Sequence, residues 1–284
     1  MSQTEAAFTQ ITLTRRKRFR VGESLIVLFV LGYAAFLLVG PLIAIILGAF
    51  ADGFGAFINA VTSEEAIYAL KLTLILAVAA TLINTIFGMC ISWVLVRDDF
   101  KGKSILNGLV DMPFAVSPVI AGFMLILLFG RTGWFAPLID RLGIKMVFAT
   151  PGMLIATIFI SLPFVIREVV PVLKQVNLDQ EQAAYTIGAS KWQTFWRVTL
   201  PAIRWGLFYG ISLTFARAVG EIGAVLVVSG GVSKLTETAT LFIFRSLDDR
   251  NYVGAYAMSV VLAAISFVIL MLIELFKKRT TENH

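Results

Sequence analysis

Apolar residues along the chain gather into six long runs, roughly 24–50, 68–95, 104–129, 150–172, 203–229 and 253–276, parted by short polar links. A bilayer core about 30 Å thick takes roughly 20 residues of helix to cross. Backbone inside lipid must satisfy its own hydrogen bonds, which a helix does. Each run is therefore expected to form one transmembrane helix, giving an all-α polytopic membrane protein with six transmembrane helices. The first run, Leu25 to Phe50, is far longer than the apolar stretch of a secretory signal, so it is expected to stay in place as an anchor.

One link departs from this plainness. Between the fourth and fifth runs stands LDQEQAAYTIGASKWQTFWRVTLP, Leu178 to Pro201. Asn177 with Gln180 three residues on has the look of a capping box, and Asp179 and Glu181 fall in the first turn, where the helix dipole favours acids. A short helix is predicted from there through Ile187 and is expected to end at Gly188, which takes the left-handed conformation cheaply. Ser190 with Gln193 is a second capping box and opens a second helix. On it Trp192, Phe195, Trp196 and Leu200 recur at helical spacing, a stripe expected to clamp against the bundle, before Pro201 punctuates and the next run begins. Ala183 and Ala184 keep the first helix thin, so that its backbone can lie close inside a partner's groove. On these residues alone two readings stay open: a docking surface for another protein, and an amphipathic hairpin held only by its own bundle.

Composition agrees with a membrane protein: of 284 residues, 58% are hydrophobic and only 15% charged. Lys and Arg sort by side. Arg15, Arg16, Lys17, Arg18 and Arg20, the 97–103 link, the 167–204 region and Lys277, Lys278 and Arg279 carry sixteen, against six in the links 51–67, 130–149 and 230–252. By the positive-inside rule both termini and the 178–201 segment are expected in the cytoplasm. The net charge of +6 is then attraction to an anionic inner leaflet rather than to nucleic acid. The one cysteine, Cys90, excludes an internal disulfide and a cysteine metal cluster, and the one histidine, His284 at the very end, removes most metal and general-base chemistry. No phosphate-binding GxxxxGK[ST] loop occurs, since "GASK" at 188–191 lacks the upstream glycine, so no catalytic, cofactor or metal site is expected in this chain.

The patterned link resembles the EAA loop of ABC importer permeases, E-A-A-x3-G-x9-I-x-L-P. Gln182-Ala183-Ala184, Gly188 and Val198-Thr199-Leu200-Pro201 match its spacing throughout. The resemblance implies that the loop enters a cleft on a cytosolic ATPase, with Glu181, Gln182, Ala183, Ala184, Gly188, Ser190, Leu200 and Pro201 as the coupling residues. It departs at Gln182, where the family has glutamate; Glu181 lies one position earlier, about 100° round the helix. "DMPFAVSPVIAG" (Asp111 to Gly122), "PFVIREVVPVL" (Pro163 to Leu173), the Gly188–Gly210 stretch and "ARAVGEIGAVLVVSGG" (Ala216 to Gly231) look like the sulfate/thiosulfate importer permeases, the last two nearest the W-type subunit. Molybdate permeases share the fifth-run motif. The implied fold is that of a type I ABC importer permease in a bacterial inner membrane. The implied partners are two ATP-binding subunits that hold ATP and Mg, a second and non-identical permease, an extracytoplasmic binding protein and the anion itself. Residues 1–22 are then a cytoplasmic basic arm, 23–276 the six-helix domain with its coupling loop at 177–201, and 277–284 a cytoplasmic tail.

The fifth run can be tested by angle. At 100° per residue from Gly206, residues Gly210, Thr214, Arg217, Glu221 and Ala224 fall within one sector of about 80°. Charges in mid-span face protein or water. Arg217 and Glu221 are thus expected either to bridge one another and lock the bundle, or to lend positive potential to an anion path. Asp111, beside Pro113 and Pro118, and Ser117 are the other candidates for that path, the alternative being a packing kink in which Asp111 accepts backbone hydrogen bonds. Arg167 and Glu168 are expected as an interfacial pair. Two rivals from other classes are a gradient-driven secondary transporter, which predicts inverted repeats and discontinuous helices, and an intramembrane enzyme, which the near absence of His and Cys disfavours.

Overall fold

A computed structural model of the chain describes residues 21–281. The basic arm at 15–20 and His284 lie outside the described residues. Thirteen α-helices are described: α1 (Val21–Ala49), α2 (Phe54–Thr62), α3 (Glu64–Arg97), α4 (Lys103–Ala115), α5 (Pro118–Phe129), α6 (Ala136–Leu142), α7 (Thr150–Gln175), α8 (Leu178–Thr186), α9 (Lys191–Thr194), α10 (Leu200–Val219), α11 (Gly223–Ser229), α12 (Ala239–Asp248) and α13 (Tyr252–Thr281). Among the described residues none forms a strand. The chain divides into a unit ending at Leu47 and a unit beginning at Gly48. The described part of the first is α1 as far as Leu47, with Pro41 inside it and its side chains from Leu25 mostly exposed.

In the second unit α3, α7 and α10 form the centre. Gly206 and Gly210 let α10 approach α7 closely: a Cβ at Gly206 would stand 2.7 Å from Val172 Cγ2, and one at Gly210 3.0 Å from Val165 Cα. Val165, Val169, Leu173 and Ile203 fill this seam. The α3–α7 seam also carries a polar tie, because the fully buried Asn84 donates to Ser161 Oγ (2.8 Å) and to Ile158 O (3.1 Å). Those two bonds partner its amide nitrogen, which in an apolar surrounding would otherwise be costly to bury.

Four helices are long and apolar enough to cross a membrane unbroken, and two helix pairs qualify only as bent pairs, giving six if each pair is one crossing. Two of the six runs are bent rather than straight, the first of them beside the helix-breaking Pro118. The 104–129 run is α4 and α5, turned 114° against each other, and the 203–229 run is α10 and α11, turned 51°. In the first, Pro118 forces Ser117 out of the helical region (φ −58°, ψ 137°) and takes the opening turn of α5, where its missing N–H costs nothing. Pro113 stays inside α4. In the second, Gly220 closes α10 by donating to Ala216 O and Ala218 O, and Ile222 leaves helical geometry before α11.

The long α3 serves as a ruler, 34 residues or about 50 Å. At its start Glu64 pairs with Lys234 and Glu65 with Arg245. At its end Arg97 pairs with Glu181. The links 51–67 and 230–252 therefore share one end of this unit, and the links 97–103 and 178–200 the other, which is the grouping the Lys and Arg counts call for. The last helix, α13, runs on to Thr281, into the residues expected to be a tail.

Candidate functional site

The 178–201 link folds as a helix, a turn and a second helix. Asn177 Oδ1 accepts from Asp179 N (3.1 Å), but the reciprocal arm expected from Gln180 is absent; Asn177 Nδ2 bonds Asp179 Oδ2 instead (2.8 Å). Gly188 sits at φ +87° and turns the chain as expected. The second capping box is complete, Ser190 N to Gln193 Oε1 at 2.9 Å and Gln193 N to Ser190 Oγ at 3.3 Å.

After α9 the helix widens into a π turn, Phe195–Thr199, and runs on into α10 without a stop, so Pro201 lies within the first turn of α10 rather than marking a boundary. The π turn shifts the faces. Thr194 and Thr199 are buried and Phe195 packs edge-on to Trp93, while Trp192 and Trp196 are exposed. The predicted aromatic clamp is thus made by Phe195, not by the tryptophans.

The docking face of α8 is also redistributed. Gln182, Ala183, Tyr185 and Ile187 are exposed, Ile187 by 86%, whereas Ala184 is turned inward (9%). Glu181 points inward too. Its Oε1 accepts from Arg97 Nη2 at 2.7 Å and from Thr199 Oγ1 at 2.9 Å. Arg97 and Thr199 escaped sequence reasoning, since nothing local in the sequence links positions 84 and 18 residues apart.

The candidate path residues form two separate constellations. Asp111, on α4, takes a two-pronged hydrogen bond from Arg167 on α7, with Nε to Oδ1 at 2.7 Å and Nη2 to Oδ2. This corrects both the Asp111 role as acceptor of backbone bonds and the Arg167–Glu168 pairing: the flat guanidinium fork meets a carboxylate across the helix seam more readily than its chain neighbour. Arg217 and Glu221 do bridge one another at 2.6 Å. Glu221 lies in the break between α10 and α11, not on the predicted helical face. Its Oε1 accepts from Ala224 N (2.8 Å) and its carbonyl from Thr240 Oγ1 (2.8 Å). Ser117 is exposed at the other break.

The two breaks are neighbours. A Cβ at Gly223 would stand 2.7 Å from Pro118 Cβ, and one at Gly122 2.7 Å from Ala224 O, so α5 and α11 touch backbone to backbone. Ala121, Ala156, Ile160 and Ala224 close the space behind them. Among the described residues no hydrogen bond or ion pair joins Asp111–Arg167 to Arg217–Glu221. Both arginines carry a carboxylate partner, so neither presents a full charge.

At the opposite end, Arg245 lies between Glu65 (2.6 Å) and Glu237 (2.7 Å). Glu237 is 1% exposed, and burial pushes its carboxyl up from the ordinary value although Arg245 opposes the shift. This cluster was not foreseen.

The chain is 45% identical over 95% of its length, and 98% of the relative's, to the sulfate transport system permease protein CysW of Synechocystis sp.. It is 39% identical to that of Escherichia coli (strain K12), over 90% of this chain and 86% of the other. Crystal structures of a bacterial ABC transporter that imports alginate share the fold. One gives a TM-score of 0.76 over 90% of this chain and 94% of that one; another, with a pentasaccharide-bound periplasmic protein, gives 0.77 over 93% and 96%, both at 20% identity. Residues 84–282 match the model for the binding-protein-dependent transport system inner membrane component. The chain belongs to the binding-protein-dependent transport system inner membrane component family.

Proposed function

We propose that this chain is one of two permease subunits of an ATP-driven importer for sulfate or thiosulfate, its termini and the α8–α9 elbow cytoplasmic. The observation that carries the reading is the exposed face of α8. Gln182, Ala183, Tyr185 and Ile187 stand outward on a helix bounded by a left-handed glycine and held to the bundle from behind. An exposed large apolar residue beside small ones, between two spans, fits insertion into a partner's cleft. Sulfate is supported by the names of the relatives, and the orientation by the excess of Lys and Arg at that end.

In this reading a binding protein delivers the anion at the end that holds Arg245 and Glu237. Two ATPase subunits, which bind ATP and Mg, close at the elbow and draw on α8. Closure alters contacts that differ between inward- and outward-open states, as alternating access requires. Arg217 and Arg167, each half-neutralised, line a path that attracts an anion without holding it. Ser117 offers a hydroxyl at the break.

The test is crosslinking in a Cys90→Ser background. A cysteine replacing Ile187 captures the ATPase in the assembled importer, and radiolabelled sulfate uptake stops without ATP. A cysteine replacing Ala184, which faces inward, captures far less. Uptake that persists without the ATPase refutes the reading, and molybdate outcompeting sulfate reassigns the cargo to another oxyanion.

A further inference from the structure

Four pieces of chain meet at Glu181. Arg97 closes α3, Val176 lies in the link from α7, Glu181 is on α8 and Thr199 ends the π turn that leads into α10. Arg97 Nη2 donates to Glu181 Oε1 at 2.7 Å and also reaches Val176 O at 3.5 Å; Thr199 Oγ1 donates to the same Glu181 oxygen at 2.9 Å. The side chains of Arg97 and Glu181 are only 11% and 5% exposed, and Thr199 is fully buried.

Desolvated pairs of this kind add little net stability against an apolar filling, yet removing one partner alone is costly because a charge is left unmatched. Their better-attested use is to fix one arrangement of elements over others. The π turn adds to the case: without its extra residue Thr199 would not face Glu181, and such bulges gather at functional places in helices. Glu181 is turned away from the exposed side of α8, which leaves Gln182, Ala183 and Tyr185 outward.

We propose that the Arg97–Glu181–Thr199 clasp is the rigid joint through which α8 draws α3 and α10 together, which makes Glu181 a positioning residue of the transport cycle. This rests on the reading of α8 as the contact with the ATPase. A pull on α8 reaches α3 through the guanidinium and α10 through the hydroxyl. Both helices belong to the centre of the bundle, and α10 leads directly to the break that holds Glu221. Loosening the joint leaves docking intact and wastes the stroke.

The experiment uses the complete importer in vesicles and measures sulfate moved per ATP hydrolysed, with the crosslink from Ile187→Cys as the record of docking. Glu181→Gln, which keeps an acceptor for Thr199 but unpairs Arg97, lowers sulfate moved per ATP by roughly five-fold or more, the lower edge of typical coupling between sites, at an unchanged crosslink yield. Thr199→Val, which leaves the ion pair in place, gives a smaller loss in the same direction, and Arg97→Lys a partial one. An unchanged ratio in Glu181→Gln overturns the joint. Should that variant fail to insert, an unchanged ratio in Thr199→Val does the same. Absence of the crosslink in otherwise unaltered protein overturns the docking reading instead, so the two failures are distinct.

Discussion

Removing one member of the Arg217–Glu221 pair leaves the other stranded. The two groups lie 2.6 Å apart, Glu221 is 2% exposed and Arg217 29%. Truncating one partner of a buried pair costs about 3–5 kcal/mol, and the residual exposure of Arg217 puts this site at the lower end. Arg217→Met strands the carboxylate and is expected to cost about 3 kcal/mol. Glu221→Gln keeps the acceptor for Ala224 N and is expected to cost roughly 2 kcal/mol, since only the charge is lost. The double variant removes both charges and should also cost about 2–3 kcal/mol, an interaction energy of roughly 2 kcal/mol. For a chain of this size each kcal/mol moves the thermal midpoint by about 2–4 °C. Arg217→Met should therefore lower it by roughly 6–12 °C, and the double variant by no more. The assay is thermal unfolding of purified protein in one detergent, followed by intrinsic fluorescence. A double variant whose loss equals the sum of the single ones refutes the reasoning, because the two groups then act independently.

Gly188→Ala forces a side chain onto φ +87°, at about 1–2 kcal/mol of strain; ATP-dependent uptake should fall while membrane insertion measured by fractionation stays normal. Gly122→Leu drives a side chain into Ala224 O across the two breaks, and overpacking of about 1–3 kcal/mol should appear as a lower melting temperature. Glu237 holds its proton more tightly folded than unfolded, so its contribution to stability is full below the ordinary carboxyl value of 4.5 and lost as pH rises through the raised folded value. Glu237→Gln should therefore gain stability relative to the unaltered chain as melting is followed from about pH 4 to about pH 7.

What could be read from the sequence was local. Gly188 and the Ser190/Gln193 box announce themselves because their cause lies within four residues. The grouping of links at two ends followed from Lys and Arg alone. The long-range pairs left no trace: Arg97 and Glu181 stand 84 positions apart and Asp111 and Arg167 56, and each sits among other charges of the same kind. Ala184 turning inward and the tryptophans turning outward follow from tertiary packing that no periodicity marks. The bend at Pro118 had its signal in the proline, but the break at Gly220 did not, since apolar composition runs through it and one glycine among small residues reads as packing. The angle test held up to Arg217 and then failed at Glu221, where the helix it assumed had ended.

The meeting of α5 and α11 bears on how the protein is made. At 12 and 7 residues neither segment reaches across a bilayer by itself, yet α5 leaves the ribosome more than ninety residues ahead of its companion. At about 5–20 residues per second it waits several seconds for that companion. The contact through Ala121 with Ala156 and Ile160 of α7 gives it a provisional berth during the delay. Biogenesis of this subunit is therefore expected to be a sequential docking problem, in which α5, inserted together with α4, gains its seat beside α11 only when that later neighbour arrives.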